Sequence, residues 1–245
     1  MKPTTLCRAL AAALVLVALA HAVAVTKARS SVPDKPTACY PARQLHRWTL
    51  RVHQDLLAEK NAALLAEVLA ELDNHLYRIE RAIPPKALAK LKKVVLWMEY
   101  DNLKARNAHY HPSVKWLKAN RYNPDKAKCV EFGSARGFLR GVRHQPWMVL
   151  HELAHAYHDQ VLGFDHPKVV AAYEAAKKSG KYDKVLVWTG RLVRHYAITN
   201  HKEYFAECSE AYFGTNDFYP FVKAELKQHD PVMYALLEEL WGVKR

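Results

Sequence analysis

Cysteine is scarce in this chain: there are four cysteines among 245 residues, and no two of them form a C-x-x-C pair. A structural zinc site built from cysteine thiolates is therefore not expected. Cys7 lies in an N-terminal segment that we expect to be removed, which leaves an odd number. In an oxidising compartment Cys39 and Cys129 can form one disulfide, with Cys208 left as a buried thiol on a helix.

Acidic residues are also few, because 24 Asp and Glu stand against 37 Lys and Arg and give a formal net charge of +13. The basic residues are spread along the chain and no nucleic-acid-binding motif occurs, so no specific nucleic-acid partner is predicted. The charge can favour an anionic surface or an acidic substrate. A diffuse, solvated charge is the simpler interpretation.

The first apolar run, at residues 9–20, is short for a membrane span. Lys2 and Arg8 precede it, and small residues suited to cleavage follow it up to Ala24. This pattern predicts a secretory signal at residues 1–24 and a secreted or periplasmic protein, with no transmembrane anchor after cleavage. An uncleaved signal anchor is the alternative.

Three further regions follow. Residues 25–43 contain three prolines and predict a linker with little structure. Residues 44–85 predict an N-terminal helical region, because apolar residues recur at three- and four-residue steps from Leu65 to Ile83 until Pro84 and Pro85 end the helix. Residues 86–245 predict one larger domain, and the motifs within it, described below, indicate that it is the catalytic domain.

Within that last region, residues 94–100 and 128–132 are short apolar runs that predict strands. Helices are predicted from Pro167 to a glycine stop at Gly180, and from Pro231 to Gly242 with Asp230 as the cap. Residues 181–194 are basic and predicted to be irregular. The fold class is thus α+β, mostly helical, with a small sheet that precedes the central motif.

That motif is H-E-x-x-H, formed by His151, Glu152 and His155 between Pro146 and Gly163. On a helix the two histidines are one turn apart on one face, so their imidazoles can bind one metal ion while Glu152 lies beside it. This is the geometry of a zinc hydrolase. A histidine pair that is merely part of the core or surface is the alternative.

A catalytic zinc site needs a third protein ligand. Glu203, Glu207 and Glu210 repeat at i, i+4 and i+7 and would share one helical face. Three like charges repel each other there, so a cation facing them is a physical explanation for the pattern. A solvated acidic face is the alternative, and spacing alone leaves the three glutamates as rivals for the ligand role.

The two segments together resemble the gluzincins of the anthrax lethal factor type, which combine H-E-x-x-H with a downstream Y-x(6)-E-[FY]-F-A-E pattern. The chain has Tyr196, Glu203 and Glu207 at the matching positions. The resemblance implies a zincin-like fold, one Zn²⁺ per chain with Glu203 as the third ligand, Tyr196 as a catalytic tyrosine and Glu207 as a carboxylate behind the ligands. Asn200 and Glu203 also fit a capping box, but a carboxylate bound to zinc cannot cap its own helix, so Asn200 would cap alone.

Five further residues are weaker candidates. His109, His111 and His144 are candidate extra ligands or substrate contacts, although isolated histidines are more often core or surface residues. Asp159 and His158 are candidates for orienting an imidazole, or are simply solvated.

These residues predict a secreted zinc metallopeptidase that acts on a peptide or protein substrate. Zinc activates a water, Glu152 takes its proton, and Tyr196 stabilises the oxyanion. Two alternatives remain: a zinc-dependent amidase that acts on cell-wall or other non-protein amides, and a non-catalytic zinc-containing binding protein.

Overall fold

The computed structural model describes residues 34–102 and 107–243. The predicted signal at residues 1–24, including Cys7, and the first part of the predicted linker lie outside these ranges. Among the described residues, no helix is both long and apolar enough to cross a membrane.

In the described ranges, seven strands form one five-stranded sheet and one hairpin. They are β1 (Ala42–Leu45), β2 (Trp48–Val52), β3 (Leu96–Met98), β4 (Ala108–Tyr110), β5 (Val130–Phe132), β6 (Val185–Leu186) and β7 (Leu192–Val193). The sheet order is β1-β2-β3-β5-β4, with β2, β3 and β5 parallel and the two edge strands β1 and β4 antiparallel to their neighbours. The whole sheet precedes the H-E-x-x-H helix, as predicted, and the α+β class is confirmed.

Nine α-helices lie in the described ranges. They are α1 (Ala62–Ala82), α2 (Pro85–Leu91), α3 (Val114–Ala119), α4 (Ala135–Gly141), α5 (Met148–Tyr157), α6 (Pro167–Ser179), α7 (His201–Phe213), α8 (Lys223–His229) and α9 (Pro231–Trp241). One hydrophobic core includes residues of the sheet and of every helix in the described ranges except α3.

The long helix α1 ends at Ala82, just before the two prolines, as predicted. Most of the predicted stripe is buried, namely Leu72, Leu76, Ile79 and Ile83. At the start of the helix the buried positions are Leu64 and Val68, while the predicted Leu65 and Leu69 are only partly buried against the core.

The predicted linker and N-terminal helical region contain more structure than expected. A short 3-10 helix spans Thr37–Cys39, and β1 and β2 follow before any α-helix. In β2, Trp48, Leu50 and Val52 are buried while the residues between them are half-buried, which is the alternation of a strand with one buried face. Because β2 pairs with β3, this region belongs to the central sheet.

The cysteines are all free thiols in the described chain, which contradicts the Cys39–Cys129 disulfide. Both lie at a small apolar cluster around Tyr40 and Trp97. The Sγ atom of Cys129 approaches a main-chain carbonyl oxygen, that of Ala127 at 3.4 Å. Cys208 is a buried thiol on α7, as expected.

Candidate metal centre

The helix that carries the motif, α5, is buried over its whole length. It begins at Met148, two residues after the proline expected in its first turn, and a π-helical turn at His158–Leu162 extends it. Gly163 then ends it with a φ of 83°, a conformation that glycine adopts without steric cost. The motif therefore lies in a rigid helix interior.

The second helix of the site, α7, is capped by Asn200. The Oδ1 atom of Asn200 accepts hydrogen bonds from the amides of Lys202 (2.9 Å) and Glu203 (3.1 Å). The Glu203 side chain does not fold back into a capping box; its carboxylate faces α5. The cap is therefore made by the asparagine alone, which leaves the glutamate available to the site.

Three atoms that can bind a metal meet where α5 faces α7. The Nε2 atoms of His151 and His155 are 3.1 Å apart, and each lies 3.2 Å from Oε2 of Glu203. Ligand atoms held tetrahedrally about 2.0–2.1 Å from zinc are about 3.3–3.4 Å from one another. The observed triangle has nearly that size, so these three residues could hold a metal ion.

The other ring nitrogen of His151 contacts Glu210. The distance from Nδ1 to Oε1 of Glu210 is 2.7 Å, whereas Oε1 of Glu207 is 3.5 Å away. The resemblance implied Glu207 as the carboxylate behind the ligands, but in the structure Glu210 makes the short contact. With Nδ1–H donating to Glu210, a neutral imidazole presents the lone pair of Nε2 to a metal.

Burial and the carboxylates shift several pKa values here. Burial alone would lower the pKa of His151, but hydrogen bonds with Glu203 and Glu210 raise it well above its usual value. Burial alone would raise the pKa of Glu203, but contacts with His151 and His155 lower it, so its carboxylate stays ionised. Burial and the charge of Glu210 raise the pKa of Glu207. The raised pKa of Glu207 favours its neutral form, and a cation bound nearby would instead favour the ionised form of these carboxyl groups.

Two buried carboxylate oxygens also indicate a place for a cation. Within the described part of the chain, Oε2 of Glu207 and Oε2 of Glu210 have no hydrogen-bond partner. Buried carboxylates are costly unless a positive charge compensates them. These two residues and His151 also form a second group that could hold an ion, but the first group faces the cleft and matches tetrahedral spacing.

Glu152 lies beside the triangle and contacts the edge strand of the sheet. Its Oε2 accepts a hydrogen bond of 2.7 Å from the amide of Tyr110 in β4. The main chain of β4 thereby fixes the carboxylate at the cleft, where it lines the same cavity as the two histidines. Sequence reasoning could not find this contact, because a main-chain donor has no side-chain signature.

Tyr196 begins a short 3-10 helix, Tyr196–Thr199. The preceding His195 holds this turn, since its Nδ1 accepts a 3.0 Å hydrogen bond from the amide of Ala197. The Tyr196 side chain is half exposed and lines the cavity. Burial and the charge of Glu203 raise the pKa of Tyr196, so its hydroxyl is protonated at neutral pH and can donate a hydrogen bond.

A cleft of about 590 Å³ is lined by the three residues of the triangle together with Glu152 and Tyr196. His109 and His144, two of the candidate contacts, line it, but neither belongs to the ligand triangle. Asp217 and Phe218 also line the cleft and were not predicted. Burial and the charge of Glu210 raise the pKa of Asp217 to about 7.

Three other candidates lie elsewhere. His111 pairs with the buried carboxylate of Glu131 at 2.6 Å, so it is part of the core. Asp159 accepts a 2.6 Å hydrogen bond from the hydroxyl of Tyr110 and contacts neither imidazole of the triangle in the described contacts. His158 is fully buried against aromatic rings, and burial lowers its pKa to about 3. The suggestion that Asp159 or His158 orients an imidazole is therefore wrong.

Comparison of the chain with protein-family models, curated proteins and solved structures found no match.

Proposed function

We propose that this protein is a zinc-dependent metallopeptidase with a zincin-like fold, exported by its predicted signal. The observation that carries the proposal is the triangle of His151, His155 and Glu203, whose ligand atoms are 3.1–3.2 Å apart. A general-base candidate, Glu152, lines the same open cleft. A purely structural metal site would need neither an open side nor this carboxylate.

His151, His155 and Glu203 would hold one zinc ion. When bound, zinc supplies a Lewis acid that polarises a carbonyl and makes a water acidic enough to attack it at neutral pH. Glu152 accepts the proton of the attacking water and later donates it to the leaving amine. The hydroxyl of Tyr196 donates a hydrogen bond to the oxyanion, an interaction that strengthens towards the transition state.

The geometry of the edge strand β4 favours a polypeptide over other substrates. The His111 amide donates to the carbonyl of Cys129, just before β5, and the Asn107 carbonyl accepts from the amide of Gly133, just after β5. By the alternation of an antiparallel ladder, the main-chain groups of Ala108 and Tyr110 point the other way. The Tyr110 amide binds Glu152 there, and the remaining groups on this edge can pair with an extended peptide in the cleft.

The first test is elemental analysis of purified wild type, Glu152→Gln and Glu203→Gln, with hydrolysis of a mixed peptide library. Wild type should hold one zinc per chain and cleave peptides. Glu152→Gln should keep zinc and lose cleavage, whereas Glu203→Gln should lose zinc affinity. Glu67→Gln, on the exposed side of α1, is the matched control and should resemble wild type.

Parallel assays on casein and on peptidoglycan fragments separate the alternatives. Cleavage of peptidoglycan alone would indicate an amidase. Bound zinc without hydrolysis of either substrate, together with unchanged zinc affinity in Glu203→Gln, would contradict both the peptidase and the third ligand, and a binding role would become the better account.

Tyr196→Phe gives an independent prediction. Loss of one oxyanion donor should lower kcat by about 10²–10³-fold, while KM and zinc content stay close to wild type. Steady-state kinetics with a library-derived peptide would measure this. Tyr77→Phe, another half-exposed tyrosine, should leave kcat unchanged; an equal loss in both variants would exclude a specific role for the Tyr196 hydroxyl.

A further inference from the structure

Exposed apolar side chains concentrate on one short hairpin. Of the ten large hydrophobic residues that are exposed in the described ranges, Leu186, Trp188 and Leu192 fall within seven consecutive positions. Their exposed fractions are 40% for Leu186, 51% for Trp188 and 57% for Leu192. Scattered exposed hydrophobic residues are ordinary, but a contiguous group of them marks an interaction surface.

The hairpin register places the two leucines on one face, because Leu186 pairs directly with Leu192 across β6 and β7. Trp188 lies just beyond β6, in the turn that leads to β7, and its side chain is also exposed. Val185 and Val187 alternate with Leu186 and Trp188 along the chain and are buried against the body of the protein. The inner face of the hairpin therefore packs against the protein, and the outer face exposes apolar side chains that this packing does not need.

Exposed cations lie at the base of the hairpin. Lys184 comes directly before β6 and Arg194 directly after β7, and both side chains are exposed. Arg191 lies exposed at the turn, and residues 184–194 contain no acidic residue. Arg194 approaches Asp183 at 3.7 Å, but both side chains are largely exposed, so solvent screens this pair.

The hairpin is held firmly beside the cleft. Its turn ends at Gly190, with a φ of 86°, and the amide of Trp188 donates a 2.8 Å hydrogen bond to the carbonyl of Asp217. The Trp188 ring also stacks on His144, which lines the cleft, with 5.1 Å between ring centroids. The exposed face is therefore presented on a fixed support.

We propose that the exposed surface of this hairpin, formed by Lys184, Leu186, Trp188, Leu192 and Arg194, docks the protein on an anionic lipid bilayer. Leucine and tryptophan side chains enter the boundary between head groups and acyl chains, and basic residues at the base remain with the lipid phosphates. Four residues of extended chain, about 13 Å, separate Lys184 from Trp188, enough for the tip to reach a depth of about 5–10 Å.

Lipid fits these observations better than a soluble polyanion. A polyanion would bind the cations but would gain nothing from three exposed apolar side chains. Without residues 1–24, which include Lys2 and Arg8 and no acidic residue, the formal charge is 37 − 2 − 24 = +11, and it adds long-range attraction to an anionic membrane. If the cleft acts as proposed above, docking would select polypeptides at the membrane surface, a consequence that rests on the proposed function, whereas the docking itself does not.

The test is sedimentation of the full chain, purified without its predicted signal, with phosphatidylcholine vesicles and with vesicles of phosphatidylcholine and phosphatidylglycerol at low salt. Binding is expected only to the anionic vesicles and should weaken with added salt. The triple variant L186S/W188S/L192S should reduce partitioning at least tenfold. K184Q/R194Q should reduce it about 25-fold, from about a fivefold effect per cation.

Matched controls change similar residues elsewhere. V114S/V232S removes two other exposed hydrophobic side chains, and K115Q/K178Q removes two other exposed lysines; both should bind nearly as wild type does. Thermal melts check folding, and W188S alone replaces the triple variant if that variant does not fold.

The proposal is overturned by absence of vesicle binding, or by vesicle binding that the hairpin variants do not reduce. Binding to dextran sulfate beads that K184Q/R194Q abolishes and L186S/W188S/L192S leaves intact would also overturn it, because it would identify a site for anionic polymers. None of these measurements requires catalytic activity, so their failure is distinct from failure of the metallopeptidase proposal.

Discussion

At the scale of single residues, the carboxylate of Glu203 faces the two motif histidines although its sequence position also fits a capping box. Asn200 caps the helix alone, so the two functions are divided between two side chains. The three glutamates of α7 are likewise separated by environment: Glu203 is partly exposed at the cleft, whereas Glu207 and Glu210 are buried behind it. Spacing could not make that distinction.

Glu210→Gln tests the contact behind His151. Removing the negative charge that accepts from Nδ1 should lower zinc affinity by about 10–100-fold, the usual effect of losing such a partner. Glu207→Gln, at 3.5 Å from the same nitrogen, should cause a smaller loss. Competition with a chromogenic chelator measures both affinities, and a larger loss in Glu207→Gln would restore the assignment that the resemblance implied.

At the scale of elements, helix ends followed the sequence closely because capping is local. Pro167 and Gly180 bound α6, and Pro231 and Gly242 bound α9, as predicted; the Asp230 side chain accepts from the amide of Met233. The two predicted strands were found as β3 and β5, whereas β1, β2, β4, β6 and β7 were not predicted. The two-residue strands β6 and β7 are too short to have a distinct periodicity.

Asn200→Ala tests the link between a helix end and the site. Loss of the cap should lower the free energy of unfolding by about 1 kcal/mol, measured by urea denaturation of the metal-free protein. Because the amide of Glu203 is one of the two capped groups, zinc affinity should fall as well. Asn200→Asp keeps an acceptor at this position and should remain near wild type in both measurements; equal stability of Asn200→Ala would show that the cap contributes nothing.

At the scale of the whole molecule, a buried ion network joins distant parts of the chain. Lys126 is fully buried, and its Nζ lies 2.8 Å from Asp34, 2.6 Å from Glu99 in the segment after β3 and 2.6 Å from Glu131 in β5. The predicted linker is thereby tied to the sheet. His111 completes the network through Glu131, which explains why it is unavailable to the cleft.

Lys126→Met should destabilise the fold by about 3–5 kcal/mol, because it leaves buried carboxylates without their cation. Lys128→Met is the matched control: its ion pair with Asp159 is half exposed on the lysine side, so the loss should be at most about 1 kcal/mol. Urea denaturation at pH 7 compares the two. Similar small losses would mean that the buried network is dispensable for stability.

The network also predicts an acid-sensitive fold. Despite burial, which alone would raise it, contacts with His111 and Lys126 lower the pKa of Glu131 to about 2. A lowered pKa in the folded state adds stability that is present above the unfolded value of 4.5 and is lost as the pH falls towards 2. Burial raises the pKa of Glu99 from 4.5 to about 7. Glu99 therefore destabilises the fold as the pH rises from 4.5 to 7, which is above the pH range in which Glu131 acts. Urea denaturation at several pH values between about 5 and about 2 should show this loss of folding stability. The Lys126→Met variant should lose less stability over the same pH range.

The sequence by itself determined the parts of this protein that depend on near neighbours. Two histidines four residues apart on a helix must share a face, a proline or a glycine must end a helix, and Asn200 can cap α7, because backbone geometry fixes these relations within a few residues. The α+β class and the ligand candidates follow from such local rules.

Tertiary structure alone decided which of those candidates meet. How the sheet packs against α5 and α7 decides several contacts. It brings Glu203 to His151 across 52 positions and places Glu210 rather than Glu207 against His151. It also places the Tyr110 amide on Glu152 and buries His111 with Lys126. Packing compares many nearly equivalent side chains at once and selects the set that fills the interior and pairs its charges, a selection that no local pattern encodes.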